Sequence, residues 1–193
     1  MLAAGQATLT ERGTEGFTVQ EISKRSGLSV GAIYARFENK DELFRAVQDR
    51  MLSQIEAEQN ELFDPVRFES MDARAVIAGA IASAIEIMRE HERPLRALIL
   101  RSPSDERVMK RGEESSQELQ RKFTELVLTR RDAIQHPDPV LAADIAFRMV
   151  YGTATHRVAF GETFESPVSF DWEVLTDELT RACAGYLLNN QKN

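Results

Sequence analysis

Cysteine occurs once in the chain, as Cys183, which excludes an internal disulfide and makes a cysteine cage for a metal impossible within one chain. Its setting, Thr180-Arg181-Ala182-Cys183-Ala184-Gly185, is an apolar helical context without acid–base partners in sequence range, so it reads as core packing rather than catalysis. Histidine is scarce too, and His91, His136 and His156 lack metal-ligand spacing. No apolar run approaches the roughly 20 residues of a membrane span, and no basic segment leads into an apolar stretch as in a secretory signal. The expectation is a soluble protein of the cytoplasm. Beta-branched alternation is missing, which leaves nothing to assign to a sheet. Paired carboxylates such as Glu113 and Glu114, or Glu61 and Asp64, sit in polar surroundings, and no serine, histidine and acid are tied to a strained turn. No catalytic residue, metal site or cofactor is therefore expected.

What is present supports a sizeable helical core: 42% of the 193 residues are apolar. The net charge of −7 argues against broad, charge-driven nucleic-acid binding, though not against a small reading head. Residues 1–50 carry seven basic and seven acidic side chains, so the whole deficit belongs to residues 51–193. Charge thus divides the chain into two expected domains, 1–50 and 51–193.

The spacing predicts about nine helices. The first runs from Met1 to Arg12 and closes at Gly13; the second starts at Val19 behind Thr18-Val19-Gln20-Glu21, which has the form of a capping box. Ser26-Gly27-Leu28-Ser29 interrupts it within two turns, and Ser29 can cap a third helix over Val30 to Phe37. Two short helices joined by a glycine turn form a helix-turn-helix pattern. Asn39 to Glu42 caps a fourth helix running toward Glu61, and Asp64-Pro65 breaks the chain. Further helices are expected over Ala73–Arg89, Leu95–Leu100, Ser102–Arg131, Val140–Phe160 and Trp172–Asn189. The fold class is all-α: a three-helix head, one bridging helix and five helices behind.

The stretch from Thr18 to Leu43, TVQEISKRSGLSVGAIYARFENKDEL, resembles the DNA-binding module of the tetracycline-repressor (TetR) family, and the resemblance covers about residues 1–50. It implies that Thr18, Tyr34 and Lys40 touch phosphates, while Val30, Ala32 and Ala35 face base edges. The chain departs from the family at two of these places, where lysine or arginine is frequent instead of Val30 and histidine instead of Ala35. Apolar contact there suits a thymine methyl and makes no bidentate contact to guanine. Specificity then leans on Arg36, on Gln20, on deformability of the site or on a basic arm. Physically, Gly31, Ala32 and Ala35 make a face small enough to approach a major groove, and Ser29 with the helix N-terminus offers donors to a phosphate. Core packing stays open as the other reading of Tyr34, and it is the main reading of Phe37; Ile22, Ile33 and Leu43 are assigned to the core of the head.

Behind the head, Gly152, Thr155 and Ala159 are small residues that permit another helix to approach, and the last helix carries Trp172, Leu175, Leu179, Ala182, Cys183 and Tyr186 at three–four spacing. The resemblance implies pairing of the two terminal helices with those of a second copy, which would let a homodimer engage two half-sites. Ile77, Ile81, Met88, Phe123, Phe147 and Tyr151, with His156 facing inward, are the expected lining of a pocket for a small, mostly apolar effector, with core packing the alternative for each. The functional expectation is a ligand-responsive repressor binding a near-palindromic operator. Its alternatives are an activator or a regulator answering to a protein partner and, with less support, an enzyme or carrier bearing a helix-turn-helix.

Overall fold

A computed structural model describes residues 1–189, and among these the chain is all-helical with no strand. Its nine α-helices are α1 Leu2–Gly16, α2 Val19–Ser26, α3 Val30–Tyr34, α4 Lys40–Leu62, α5 Ala73–Glu90, α6 Glu92–Arg101, α7 Glu106–Leu128, α8 Pro139–Phe160 and α9 Trp172–Leu188. Short 3₁₀ turns occupy Pro65–Phe68, Ser102–Ser104 and Arg131–Ala133. The expected helix count and the all-α class are met.

Boundaries shift for local reasons. Gly13 interrupts α1 with a φ of 64°, as expected of a closing glycine, but the chain resumes helical geometry to Gly16. The capping box is half formed. Thr18 Oγ1 accepts from the Glu21 amide, while the Thr18 amide donates to Gly16 and the Glu21 carboxylate is taken by Arg25. α6 starts earlier than expected because Pro94 falls in its first turn, where no intrahelical amide is lost. α7 starts later: Ser102–Ser104 coils as a 3₁₀ turn and Asp105, not Ser102, supplies the cap.

Packing divides the chain into two compact units. The first joins residues Met1–Ile55 to His91–Ser115, and α6 lies along α1 within it. Leu9, Phe17, Ile22, Ile33, Leu43, Val47 and Leu98 form its apolar interior, with the Phe17 and Phe44 rings edge to face at 5.2 Å. Two buried polar groups, together with more exposed ion pairs, hold residues 91–115 to α4. Gln48, itself buried, donates through Nε2 to the Val108 carbonyl at 2.9 Å. Asp105, also buried, accepts from the amides of Arg107 and Val108 and from the Arg45 guanidinium, whose Nη2 lies 2.9 Å from its Oδ2.

The second unit comprises Glu56–Glu90 and the chain from Ser116 onward. α5 is its central helix, packed on α8 and α9, and Val76, Ile77, Ala80, Ile81, Ala84, Ile85 and Met88 are all buried. That matches a stripe broad enough to be covered on more than one side. Arg130 fastens the loop before α5 by donating to the carbonyls of Phe68, Glu69 and Met71.

Burial works against ionisation of Asp105, but the Arg45 hydrogen bonds and the two capping amides outweigh it and hold the carboxyl below its ordinary value of 3.8. A carboxylate depressed by folding adds stability at every pH above its unfolded value and loses it as the pH falls through the folded one. Below about pH 4 the natural protein should therefore lose stability faster than Asp105→Asn, as read by urea unfolding at stepped pH. At neutral pH Asp105→Ala, which removes cap and ion pair together, should cost about 2 kcal/mol, less than a fully buried pair because Arg45 keeps Glu42 as a partner.

Candidate nucleic-acid interface

The helix-turn-helix is assembled by caps. Thr18 Oγ1 accepts from the Glu21 amide at 3.2 Å and opens α2. Gly27 closes it in the left-handed region at φ 71°, where a side chain would be strained. The turn is pinned by Ser23, whose hydroxyl donates to the Leu28 carbonyl at 2.6 Å. Ser29 Oγ then accepts from the Ala32 amide at 3.1 Å and starts α3, and Asn39 Oδ1 accepts from the Glu42 amide to start α4. α3 is five residues long, with Ile33 as its buried anchor.

The other side of α3 is open. Gly31, Ala32, Ala35 and Arg36 are exposed, Val30 is partly so, and Gln20 on α2 is exposed as well. Tyr34 is 48% exposed, which decides its alternative: the ring belongs to the surface, not the core. Phe37 is partly buried and Lys40 is exposed at the first position of α4. Of the residues expected to face a groove or a phosphate, Thr18 and Val30 are partly buried and the others are exposed.

Electrostatics sharpen this surface. Arg25 spans Glu11 and Glu21, and Arg12 reaches Glu21 at 3.4 Å, so these cations tie α2 to α1. The Glu11 hydrogen bonds, followed by those of Glu21, raise the Arg25 pKa further. Arg45 is held by Asp105 and Glu42. Lys24, Arg36, Lys40 and Arg50 have no ion pair among the described residues, and of these Arg36 and Lys40 flank α3 in the chain.

The residues expected around an effector fall in two places. Ile77, Ile81, Met88, Phe123 and Phe147 are buried in the second unit; Phe147 meets Phe123 edge on at 5.5 Å and stacks on Tyr151 at 5.2 Å. The Tyr151 hydroxyl is hydrogen-bonded to Ser116. His156 is elsewhere. It is 38% exposed, 3.3 Å from Glu165, with the rings of Phe160 and Phe164 beside it, because the buried positions of this turn of α8 are Ala154, Arg157 and Val158. A separate cleft of about 360 Å³ lies between Asn60, Phe63, Asp64 and Pro65 on one side and Lys122, Glu125, Leu126 and Thr129 on the other, and contains none of the expected lining residues.

On the terminal helices, Gly152 and Ala182 are exposed, and Thr155, Trp172, Leu179 and Tyr186 are partly so. Ala159, Leu175 and Cys183, expected at the same pairing face, are instead buried within the chain, because they lie on the inward sides of α8 and α9. The sequence analysis assigns no role to the stretch from the end of α8 into α9, where Phe160, Phe164, Val168, Phe170 and Val174 are exposed and Arg157 lies 4.7 Å from the Trp172 ring. The apolar residues around Pro167 were the available signal. Among the described residues, no group of His, Cys, Asp and Glu could hold a metal ion, and no helix is long and apolar enough to cross a membrane.

Two family models match the chain: bacterial regulatory proteins, tetR family, over residues 1–47, and the tetracyclin repressor-like C-terminal domain over residues 72–187. No curated protein matches it. Solved structures share its fold. A candidate TetR-family transcriptional regulator from Mesorhizobium loti MAFF303099 is 20% identical with a TM-score of 0.72, over 96% of this chain and 92% of that one. A transcriptional regulator from Rhodococcus sp. Rha1 is 20% identical with a TM-score of 0.70, over 95% and 91%. The transcriptional regulator FadR from Bacillus subtilis, in complex with stearoyl-CoA, is 15% identical with a TM-score of 0.68, over 99% and 97%.

Burial pushes the Cys183 thiol up to about 11, and the thiol lies 3.9 Å from the Ala146 carbonyl. The folded protein at pH 7 should therefore resist a disulfide reagent and release its one thiol on denaturation. Fast native labelling would show that this part of α9 opens.

Proposed function

The chain belongs to the tetR family of bacterial regulatory proteins, and from that premise we propose a ligand-responsive repressor whose homodimer binds a near-palindromic operator and releases it to a small, mostly apolar effector. The observation that carries this reading is the capped helix-turn-helix, with its open α3 face and the uncommitted Arg36 and Lys40 beside it. Residues 1–50 would bind DNA and residues 51–193 would bind effector and pair the chains, in the cytoplasm where the operator is.

In this reading Thr18, Ser29, Tyr34 and Lys40 hold phosphates and set the register, whereas Gln20, Val30, Gly31, Ala32, Ala35 and Arg36 meet the groove. A twofold dimer through Gly152, Thr155, Trp172, Leu179, Ala182 and Tyr186 presents two such heads to two half-sites. The apolar cluster of Ile77, Ile81, Met88, Phe123, Phe147 and Tyr151 favours an effector with a hydrocarbon body, a chemistry also held by the stearoyl-CoA complex of the Bacillus subtilis neighbour. Such an effector acts only by preferring the DNA-incompetent state; a tenfold loss of operator affinity needs a difference of about 1.4 kcal/mol.

One observation favours a second reading, control by a protein partner. Phe123 is fully buried and its ring already meets Phe147, so part of the expected lining is occupied by its own side chains. A chemically broad panel that leaves operator binding unchanged would favour that partner.

Selection from random duplex should return a preferred sequence with twofold symmetry, and its absence at both low and moderate salt would remove DNA recognition from the reading. Tyr34→Phe and Lys40→Ala should weaken all duplexes by similar factors without changing the preferred bases; altered base preference at unchanged affinity contradicts a phosphate role. Light scattering at micromolar concentration should give twice the chain mass of 21.8 kDa, against a persistent monomer if the terminal helices do not pair.

A further inference from the structure

Two acids directly follow Lys40. Asp41 and Glu42 occupy the first turn of α4, where negative charge complements the helix dipole. Beside a phosphate-binding lysine the same charges are a liability, because they repel the strand that Lys40 is to hold. Both acids are met by arginines from a segment some sixty residues away in sequence. Arg101 Nη2 lies 2.9 Å from Asp41 Oδ1, and Arg107 Nη1 lies 2.7 Å from Glu42 Oε1, which Arg45 Nη1 also reaches at 2.9 Å.

Local stability accounts for only part of this arrangement, through the Arg101 guanidinium 5.9 Å from the centre of the Phe44 ring. The Arg107 side chain is 66% exposed, and pairs so open to water add little to folding. Between the two arginines sits buried Asp105, fixed by Arg45 and by its own capping bonds, so the backbone that carries Arg101 and Arg107 is anchored against α4. Arg101 also comes within 4.0 Å of Asp105.

We propose that Arg101 and Arg107 are electrostatic members of the DNA interface: they neutralise Asp41 and Glu42 so that the N-terminus of α4 can approach a phosphate through Lys40. They are positioning residues that act on the local field and carry no base specificity. The inference rests on the reading of Lys40 as a phosphate contact. It extends the DNA-binding surface of residues 1–50 to a segment outside them.

The test uses the full-length protein and a mixed-sequence duplex, since the effect is independent of base sequence. Arg101→Gln with Arg107→Gln should lower affinity about fivefold at low salt and about twofold at moderate salt, as screening hides the exposed acids. Adding Asp41→Asn and Glu42→Gln should restore most of the loss, a rescue that damage to packing would not show. Circular dichroism of each variant checks folding. Unchanged affinity in the arginine variant, or a loss that is equal at both salts and not rescued, overturns the inference. Lys40→Ala separates the layers. If it weakens binding while the arginine variant does not, the phosphate reading stands and the masking inference falls. If Lys40→Ala has no effect, the phosphate reading is lost and the inference with it.

Discussion

A helix of five residues cannot hold its own shape in water, because nucleation fixes several torsions for each of the first hydrogen bonds. Everything else in the first unit answers that constraint on α3. Caps at Thr18, Ser29 and Asn39 set where each helix begins, and Gly27 sets the angle between α2 and α3. Ile33 binds α3 to the interior through its buried side, so the exposed side is freed from any structural duty. That is why Gly31, Ala32 and Ala35 can be small. A surface of this kind lets a partner reach the backbone, and DNA in the major groove is a partner that needs such access.

Charge is handled with the same division of labour. The chain is acidic as a whole at −7, yet residues 1–50 are neutral. Within them, Arg12, Arg25 and Arg45 are spent on joining helices through Glu11, Glu21, Glu42 and Asp105. Composition alone makes these arginines look like DNA-binding charge. Their geometry shows that they build the head, which leaves Lys24, Arg36, Lys40 and Arg50 as exposed cations without an ion pair among the described residues, two of them, Arg36 and Lys40, flanking α3 in the chain. Two outward cations beside α3 thus coexist with an acidic protein, and an acidic remainder disfavours indiscriminate adhesion to nucleic acid.

Helix type and order were legible from period and punctuation: the stripe from Val76 to Met88 and the stops at Gly13, Gly27 and Asp64-Pro65 all mark real features. The clasp of Asp105 on Arg45 was not, since nothing local announces that a cap on α7 will pair sixty residues back. For the same reason α6 was placed with the later helices, although it packs along α1. His156 was misplaced by composition: an otherwise apolar helix suggested an inward ring, but the turn containing Ala154, Arg157 and Val158 puts His156 beside Glu165 at the surface. Cys183 shows the reverse case, where the apolar context correctly indicated a core residue even as the helical stripe suggested an outward one.

The small side chains of α3 also set how specificity must arise. A bidentate contact to a base is worth about 1–3 kcal/mol of discrimination, and Val30, Ala32 and Ala35 have no atoms with which to make one. Arg36 and Gln20 are the exposed polar side chains of this group that can reach for a base edge. With so few direct readers per head, a single half-site gives modest discrimination, and the proposed twofold dimer becomes a requirement of recognition because it counts the same contacts twice. In the proposed reading the remainder would come from thymine methyl groups against Val30 and Ala35 and from the cost of bending the duplex to fit two heads. Such a head would recognise the shape and spacing of its site at least as much as its bases, and operator binding would respond to any effector-driven change in the separation of the two heads.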